Sequence, residues 1–416
     1  MPRLTVIEAG RLVDGTGAEP IDNARMVIEG ERIREVGPAS EVKKPSGDAE
    51  VIDFSANTVM PGLLDGHVHL NFSALPTALP DILGEDNPRI LLRAVHNAQL
   101  ALRVGVTTVR DCGGRDLMPL RLRDAIAAGV LPGPRILAAG PAITVTGGHC
   151  YFFNGEVDSA DGMRQLARGL AKSGVDFFKV MSTGGRMTPN TNVTAAQFTV
   201  EELTALVQEA KRLGRKTTAH GHGTAGIRNA VAAGIDCIEH CTWVAEWDDT
   251  VVDYDSAVAD QMVKQGTYLS PTISPARVAP APASADPHLA AVRERVRNMR
   301  PKIREAQRDM LARGVKIIGS TDAGVANVPL DSMPGELEAA VEELGLTPMQ
   351  AITAATYTGS QCFDRSDDFG SLQVGRRADF LVVEGDPSKN ISDIRKLRWV
   401  FKDGVAEVEN GRLIRC

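Results

Sequence analysis

Six residues with the chemistry of metal ligands lie at the ends of separate apolar segments that resemble β-strands. They are His67 and His69 in PGLLDGHVHL, Lys179 in VDFFKVMSTGG, His220 in TTAHGHG, His240 in IDCIEHC and Asp322 in KIIGSTDAG. The chain has eight histidines, so half of them belong to this set. Each residue follows a β-branched or apolar run and precedes glycines or polar residues. This position is typical of the C-terminal end of a barrel strand, where (β/α)8 enzymes hold their catalytic groups.

The middle of the chain, from 57 to 365, alternates strand-like and helix-like segments, which predicts an α/β fold. Helical patterns such as TVEELTALVQEAKRLG separate the strands. Eight such units predict a parallel (β/α)8 TIM barrel with right-handed crossovers. The candidate strands are GLLDGHVHL, VTTVRDCGG, RILAAG, FFKVM, KTTAH, CIEH, TYLSPT and KIIGSTDAG.

Both ends of the chain have the period-two alternation of β-strands. The segments 1–56 and 366–416 contain runs such as LTVIEAGRLV and WVFKDGVAEVENGRLI, separated by glycine-containing turns.

Two connections inside the barrel segment are unusually long. ITVTGGHCYFFNGEVD follows the third strand and SPARVAPAPASADPHLAAV follows the seventh. Because long βα loops lie on the active-site side, these two are predicted to be lid or substrate loops.

The composition excludes several classes of protein. A net charge of -7 without a basic cluster argues against a nucleic-acid partner. No apolar run has the length of a membrane span, and the N-terminus lacks the basic-then-apolar order of a signal peptide. The six cysteines contain no CxxC pair, which favours reduced thiols and a cytoplasmic location. Cys237 and Cys241 flank His240 and permit a metal knuckle, but small apolar filler on a strand is the alternative that we favour.

Five motifs, in order, resemble the amidohydrolase superfamily, in particular its branch of imidazolonepropionase-like enzymes and Xaa-Pro or Xaa-Arg peptidases. The resemblance begins at AGRLVDGTG, passes through the six residues above, and ends at VGRRADFLVVEGDP. It implies that the two ends, 1–56 and 366–416, pair into a small β-sandwich beside the barrel of residues 57–365. It also implies a homo-oligomer.

The ligand set predicts a metal centre. Period two places His67 and His69 on one face of a strand, where both can bind one divalent ion. Burial of Lys179 would favour its neutral amine, which can capture CO2. The resemblance implies that the resulting N-carboxylated lysine bridges two metal ions. A salt bridge from Lys179 to Asp322 or Glu239 is the alternative, and it predicts one ion in place of two.

His220 and His240 complete the ligands of the second ion in this interpretation. Imidazole with carboxylate-type oxygen suits Zn first, with Mn, Co or Fe as alternatives. A water that bridges two such ions would be hydroxide near neutral pH and a strong nucleophile. Asp322 would bind one ion, accept the proton of the attacking water and pass it to the leaving amine. An N-cap role for Asp322 is the alternative.

Other polar residues near these motifs are further candidates. His149 in TGGHC and His222 in HGH are predicted catalytic residues that donate a hydrogen bond to the substrate carbonyl, with solvated loop histidines as the alternative. Arg186 could meet a substrate carboxylate or remain exposed. Asp111 could support the ligands, and Glu239 is expected on the opposite strand face in a structural role. His96 and His288 are expected on a helix and in a loop without function.

The sequence therefore predicts a binuclear metal-dependent amidohydrolase of a small dipeptide or N-acyl amino acid. Hydrolysis of a cyclic amide or imidazolone, a lactone, a carbamate or a xenobiotic amide is the alternative within enzymes. Purine or cytosine deamination is disfavoured, because deaminases in the superfamily generally lack the strand-four lysine that Lys179 provides. A non-catalytic scaffold is the distant alternative, and the presence of all six positions argues against it. The expected partner is a small molecule or short peptide, with neither nucleic acid nor membrane.

Overall fold

The computed structural model of the protein describes residues 4–45, 47–246, 251–274 and 287–414, with the backbone alone for 287–293 and 296. The strands in these ranges are β1 (Leu4–Leu12), β2 (Ile21–Glu29), β3 (Arg32–Pro38), β4 (Glu50–Pro61), β5 (Leu63–Val68), β6 (Val106–Asp111), β7 (Arg135–Ala138), β8 (Phe177–Met181), β9 (Lys216–Gly223), β10 (Cys237–Val244), β11 (Tyr268–Ser270), β12 (Phe380–Val383), β13 (Leu397–Lys402), β14 (Val405–Glu409) and β15 (Arg412–Leu413).

The two ends of the chain join in one eight-stranded sheet. Its strand order is β15-β14-β13-β12-β4-β1-β2-β3, and β4 pairs in parallel with β1 and antiparallel with β12. The alternating apolar residues of these strands form their own core, in which the rings of Phe380 and Phe401 stack 4.2 Å apart. The pairing explains why both ends have period-two patterns. The sandwich architecture and the boundaries at 56 and 365 stay predictions.

The middle of the chain forms two parallel sheets, β5-β6-β7 and β11-β10-β9-β8. Isolated parallel bridges lie between their edges, at Ile143 with Val180, Leu269 with Ile317, and Val68 with Ala323. The expected eighth strand, KIIGSTDAG, thus contributes single bridges instead of a continuous strand. Its backbone nevertheless bonds to both neighbours, since Gly66 N donates to Gly319 O at 2.9 Å and Leu269 N donates to Lys316 O at 2.8 Å. The α/β fold is confirmed, and the closed barrel stays a prediction.

Helices alternate with the parallel strands and cover them. They are α1 (Ala78–Gly84), α2 (Asn87–Arg103), α3 (Met118–Ala127), α4 (Ala160–Lys172), α5 (Val200–Arg212), α6 (Thr224–Ala233), α7 (Ser256–Gln265), α8 (Pro287–Arg313), α9 (Met333–Leu344), α10 (Pro348–Ala354) and α11 (Tyr357–Cys362). Sequence signals fix several of their ends: Thr199 and Glu202 form a capping box at the start of α5, and Gly234 ends α6 in the left-handed conformation. Their apolar faces pack on the strands in one large core.

The two long loops differ in how much of them can be described. The loop after β7 contains a 3-10 turn at Tyr151–Phe153 and buries Phe152 and Phe153. Most of the Pro/Ala-rich loop after β11, from 275 to 286, lies outside the described residues. Within the described ranges, every helix is too short or too polar to cross a lipid bilayer.

Candidate metal centre

The ends of β5, β8, β9 and β10 and the turn at Asp322 bring the six predicted residues together. His67 Nε2 lies 3.2 Å from His69 Nε2, 3.4 Å from Asp322 Oδ1 and 3.5 Å from Lys179 Nζ. His67, His69 and Asp322, here called the first cluster, place one ligand atom each within 4.8 Å of one another. The sequence prediction that these distant segments meet is therefore supported by the geometry.

A second cluster consists of His220, His222 and His240, which place one nitrogen atom each within 4.8 Å of one another. The ring of His240 is 5.1 Å from that of His67, so the two clusters are adjacent. His222 was predicted as a substrate contact, yet it belongs to this cluster by position. Its predicted contact with substrate stays a prediction.

Hydrogen bonds fix which nitrogen of each histidine is free to bind a cation. His67 Nδ1 donates to Glu239 Oε2 at 2.8 Å, and His69 Nδ1 donates to the carbonyl oxygen of Gly113 at 2.8 Å. Both histidines therefore direct an unprotonated Nε2 into the first cluster. His220 is held the other way round, because its Nε2 donates to Gly184 O at 3.1 Å and leaves Nδ1 free.

Lys179 lies beside the first cluster with 1% of its surface exposed. Among the described residues its Nζ has one hydrogen-bonding partner, His67 Nε2 at 3.5 Å. The ion pairs of Asp322 and Glu239 in those residues are made with histidines and Arg110 instead. The arrangement therefore lacks the salt bridge that was the alternative to a reactive amine.

Burial keeps the histidines neutral. Desolvation lowers the pKa of His67 to about 4 and holds the pKa values of His69, His220 and His240 well below the ordinary range. Desolvation also raises the pKa of Asp322 to about 8, and a bound divalent cation would oppose that shift. Neutral imidazoles with an adjacent carboxylate form a donor set that fits Zn or a similar first-row cation.

Glu239 contacts a candidate ligand, and its position was wrongly predicted. The period-two pattern placed it on the face opposite His240, but its fully buried carboxylate accepts hydrogen bonds from His67 Nδ1, from Arg110 Nη2 at 2.6 Å and from Thr218 Oγ1. Burial alone would raise its pKa, yet Arg110 and His67 hold the pKa of Glu239 well below the ordinary value. Glu239 keeps the expected structural role, because it orients the candidate ligand His67.

Asp111 supports the first cluster as expected. Its carboxylate accepts from Leu70 N at 3.0 Å and from Gly113 N at 3.1 Å. Gly113 in turn presents the carbonyl that orients His69. Asp65, which the sequence analysis missed, accepts from the backbone of His67 and from Thr321 in the turn before Asp322. Asp65 lies on β5 two residues before the candidate ligand His67, a signal available in the sequence.

Polar and apolar groups surround the clusters. His149 is buried with its ring 4.6 Å from that of His220, and its Nδ1 lies 2.8 Å from Thr188 Oγ1. Arg186 is partly buried. Desolvation is the main cause of the lowered pKa values of His149 and His222, and the positive charge of Arg186 lowers them further. His96 is exposed on α2, while the side chain of His288 lies outside the described part.

An apolar wall lies beside the first cluster. The ring of Phe72 is 5.5 Å from that of His69, and the ring of Phe153 is 6.2 Å from it and nearly parallel. Phe152 packs edge-on against both, and we call these three residues the phenylalanine cluster.

The two cysteines that flank His240 are buried in apolar clusters, which agrees with the filler interpretation.

The model of the amidohydrolase family matches residues 58–406 of the chain, most of its length. The chain belongs to the amidohydrolase family. This membership confirms the resemblance seen in the motifs and the hydrolase class predicted from them.

Amidohydrolase relatives match over nearly the whole chain. Ochratoxinase of Aspergillus niger is 27% identical over 450 residues, covering 97% of this chain and 86% of the relative. Imidazolonepropionase of Solibacter usitatus is 26% identical over 92% of this chain and 88% of the relative. The crystal structure of a Xaa-Pro dipeptidase with bound methionine in its active site superposes with a TM-score of 0.85, at 31% identity over 98% of this chain and 100% of that one.

Proposed function

We propose that this amidohydrolase binds two divalent metal ions, Zn in the first instance, and hydrolyses an amide bond in a small dipeptide or N-acyl amino acid. The observation that carries the proposal is the pair of adjacent clusters, each with three ligand atoms within 4.8 Å of one another, and the buried lysine beside His67. The two matching relatives named for a dipeptide and for ochratoxin support this substrate range. We propose a closed (β/α)8 barrel as the scaffold, since bridges lie between the edges of the parallel sheets.

Lys179 would act as a bridging ligand after reaction with CO2. The neutral amine would form an N–C bond to CO2 and release one proton, which leaves a carbamate with two oxygens. The reaction needs an amine that is not held in a salt bridge, and among the described residues Nζ has one hydrogen-bonding partner, His67. The carbamate would supply anionic oxygen ligands beside His67, in addition to the imidazoles.

The chain's own residues would supply proton transfer and orientation. Two bound ions would lower the pKa of a water molecule and polarise the scissile carbonyl. Asp322, whose carboxylate Oδ1 lies 3.4 Å from His67 Nε2, would accept a proton from the attacking water and deliver it to the leaving amine. His149 would donate a hydrogen bond to the developing oxyanion, with Thr188 holding its ring through Nδ1.

The surroundings of the clusters suggest how such a substrate would lie. The phenylalanine cluster offers an apolar surface to the side chain or acyl group on the side of His69. Arg186 offers a positive charge on the side of His149 and His222, suited to a carboxylate. A substrate with one apolar end and one carboxylate end would match this polarity.

Metal content of the purified protein, by elemental and native mass spectrometry, tests the proposal directly. We expect about two ions per chain, together with a CO2 adduct that is lost on acid denaturation. Lys179→Ala should lose the adduct and at least one ion, whereas Lys172→Ala, an exposed lysine at the end of α4, should keep both. Full metal content in Lys179→Ala would refute the bridging role.

A substrate screen tests the second half of the proposal. Xaa-Pro dipeptides, N-acyl amino acids and ochratoxin should be hydrolysed, and a chelator should abolish the activity. If only an imidazolone ring is opened, and the protein contains a single ion, the cyclic-amide alternative suggested by imidazolonepropionase replaces the proposal.

A further inference from the structure

A buried carboxylate on α9 holds the backbone next to a candidate ligand. Glu336 is 2% exposed, and its two oxygens accept from Ile273 N and from Ser274 N, both at 2.7 Å. Thr272, the residue before these two, has its Oγ1 2.6 Å from Nδ1 of His240. Resting on the two-metal function proposed above, we propose that Glu336 is a positioning residue, which fixes Thr272 and through it the imidazole of His240.

The backbone on both sides of this contact is strained. Thr272 has a φ of 45° and His240 a φ of 64°, in the left-handed region that a β-branched residue such as threonine rarely adopts. A strained conformation persists only where the surrounding structure over-determines it. The contact between Thr272 Oγ1 and His240 Nδ1 therefore needs a hold on each of the two segments that meet in it.

The helices α8 and α9 supply one hold each. On the side of α8, Gln307 Nε2 donates to the carbonyl oxygen of His240 at 3.0 Å. Arg304 Nη1 donates to Gln307 Oε1 at 2.7 Å, and its Nη2 lies 3.5 Å from the carbonyl oxygen of Ile273. On the side of α9, Glu336 holds the segment that follows β11. The two strained segments are therefore tied to the same pair of helices.

Both oxygens of Glu336 are needed for this hold. Burial of a carboxylate is unfavourable unless hydrogen bonds and an opposite charge compensate it. Burial raises the pKa of Glu336 to about 7, and its hydrogen bonds and the positive charge of Arg304 oppose this shift. Because Oε1 and Oε2 bind successive backbone N–H groups, they fix the direction of the chain immediately after Thr272.

The orientation of His240 bears directly on metal binding. With Thr272 Oγ1 at Nδ1, Nε2 is the nitrogen that remains for a cation. A partner at the other nitrogen orients a ligand histidine, and its loss typically weakens metal binding or activity by about 10–100-fold. Because Glu336 acts on His240 and not on substrate, its replacement should lower the affinity for one ion and leave KM unchanged once zinc is saturating.

Zinc competition against a chromogenic chelator and the visible spectrum of the cobalt-loaded protein measure this effect without turnover. At pH 8, Glu336→Gln, which keeps the size of the side chain but one acceptor oxygen, should bind one ion about 10–100-fold more weakly and retain the other. Its cobalt spectrum should change in the same direction as that of Gln307→Met, which removes the hold from α8. Leu337→Ala, a core variant of the next residue on α9, should lower the urea midpoint but bind both ions like wild type.

The outcomes separate this proposal from the one on which it rests. If wild type binds one ion, or if His240→Ala retains both, the two-metal function is wrong. If these two controls behave as expected, wild-type zinc affinity and an unchanged cobalt spectrum in Glu336→Gln overturn the positioning role. An equal loss of zinc in Leu337→Ala overturns it as well, because the loss would then be one of stability.

A second variant decides if Glu336→Gln does not fold, as judged by circular dichroism. Thr272→Val keeps the shape of the side chain but removes the oxygen at His240 Nδ1. A loss of zinc affinity of about 10–100-fold in this variant supports the link from Glu336 to His240. Wild-type affinity overturns it.

Discussion

Replacement of Glu239 by glutamine should weaken both the fold and the first cluster. Glu239 Oε1 accepts from Arg110 Nη2 at 2.6 Å and Oε2 accepts from His67 Nδ1 at 2.8 Å, all within the buried interior. A glutamine has nearly the same shape but only one acceptor oxygen. Either Arg110 or His67 would therefore face an NH2 group, and the guanidinium charge would lose its counter-charge.

These contacts set the expected loss in the free energy of unfolding of Glu239→Gln. Removing one partner of a buried ion pair costs about 3–5 kcal/mol. Arg110 keeps a hydrogen bond from Nε to Gly66 O at 2.6 Å, and its other nitrogens lie near two cysteine sulfurs, so we expect about 3 kcal/mol, the lower end of the range. Because Glu239 also orients His67, zinc affinity should fall by about 10–100-fold.

Urea unfolding of the chelator-treated protein and zinc competition measure the two effects separately. The pKa of Glu239 is depressed by Arg110 and His67 against the opposing effect of burial, so its stabilisation is complete above the ordinary value of 4.5. The difference between wild type and variant should therefore be constant from pH 8 to about 4.5, and should shrink as pH falls through the depressed pKa of the folded state.

Two variants control this prediction. Arg110→Met with Glu239→Gln removes both charges and should recover stability relative to Glu239→Gln alone, without recovering zinc affinity. Glu384→Gln, in an exposed pair with Arg398, should resemble wild type in both assays. A Glu239→Gln protein that unfolds like wild type at pH 7 and binds zinc equally well would refute the argument.

Three further outcomes follow from the site. In the metal-free protein Asp322→Asn should raise the free energy of unfolding, because burial raises the pKa of Asp322 to about 8. Urea unfolding should show the full increase above pH 8 and no increase below about pH 3.8. In metal-loaded enzyme the same variant should lose about 100- to 10,000-fold in kcat, and a near-normal kcat would remove its proton-transfer role. Gly185→Ala should lower kcat, since its Cβ would lie 2.3 Å from the ring of His149, whereas Gly169→Ala in α4 meets nothing within 4 Å and should keep full activity.

The approach of the candidate residues to one another follows from the sequence more directly than the irregular eighth segment does. His67, Lys179 and His220 each end a short apolar run, and parallel strands direct such ends to one edge of their sheet, so their meeting needs no knowledge of tertiary contacts. The eighth segment was less predictable. It contains the apolar pair Ile317 and Ile318, but Gly319 and the left-handed backbone of Asp322 (φ 58°) interrupt regular pairing.

The position of Glu239 shows why strand periodicity fails at this site. Period two holds along β10 only while the backbone stays extended, and His240, Cys241 and Trp243 have φ values of 64°, 50° and 58°. The left-handed turn at His240 rotates its imidazole toward the clusters although its neighbour Glu239 already points inward. Non-glycine residues rarely adopt this conformation, at about 1–3 kcal/mol each, and it persists where the surrounding structure fixes it. Here Gln307 Nε2 donates to His240 O at 3.0 Å and holds this turn. The candidate ligand His240 and the carboxylate of Glu239, which orients His67, therefore lie on the same side of β10.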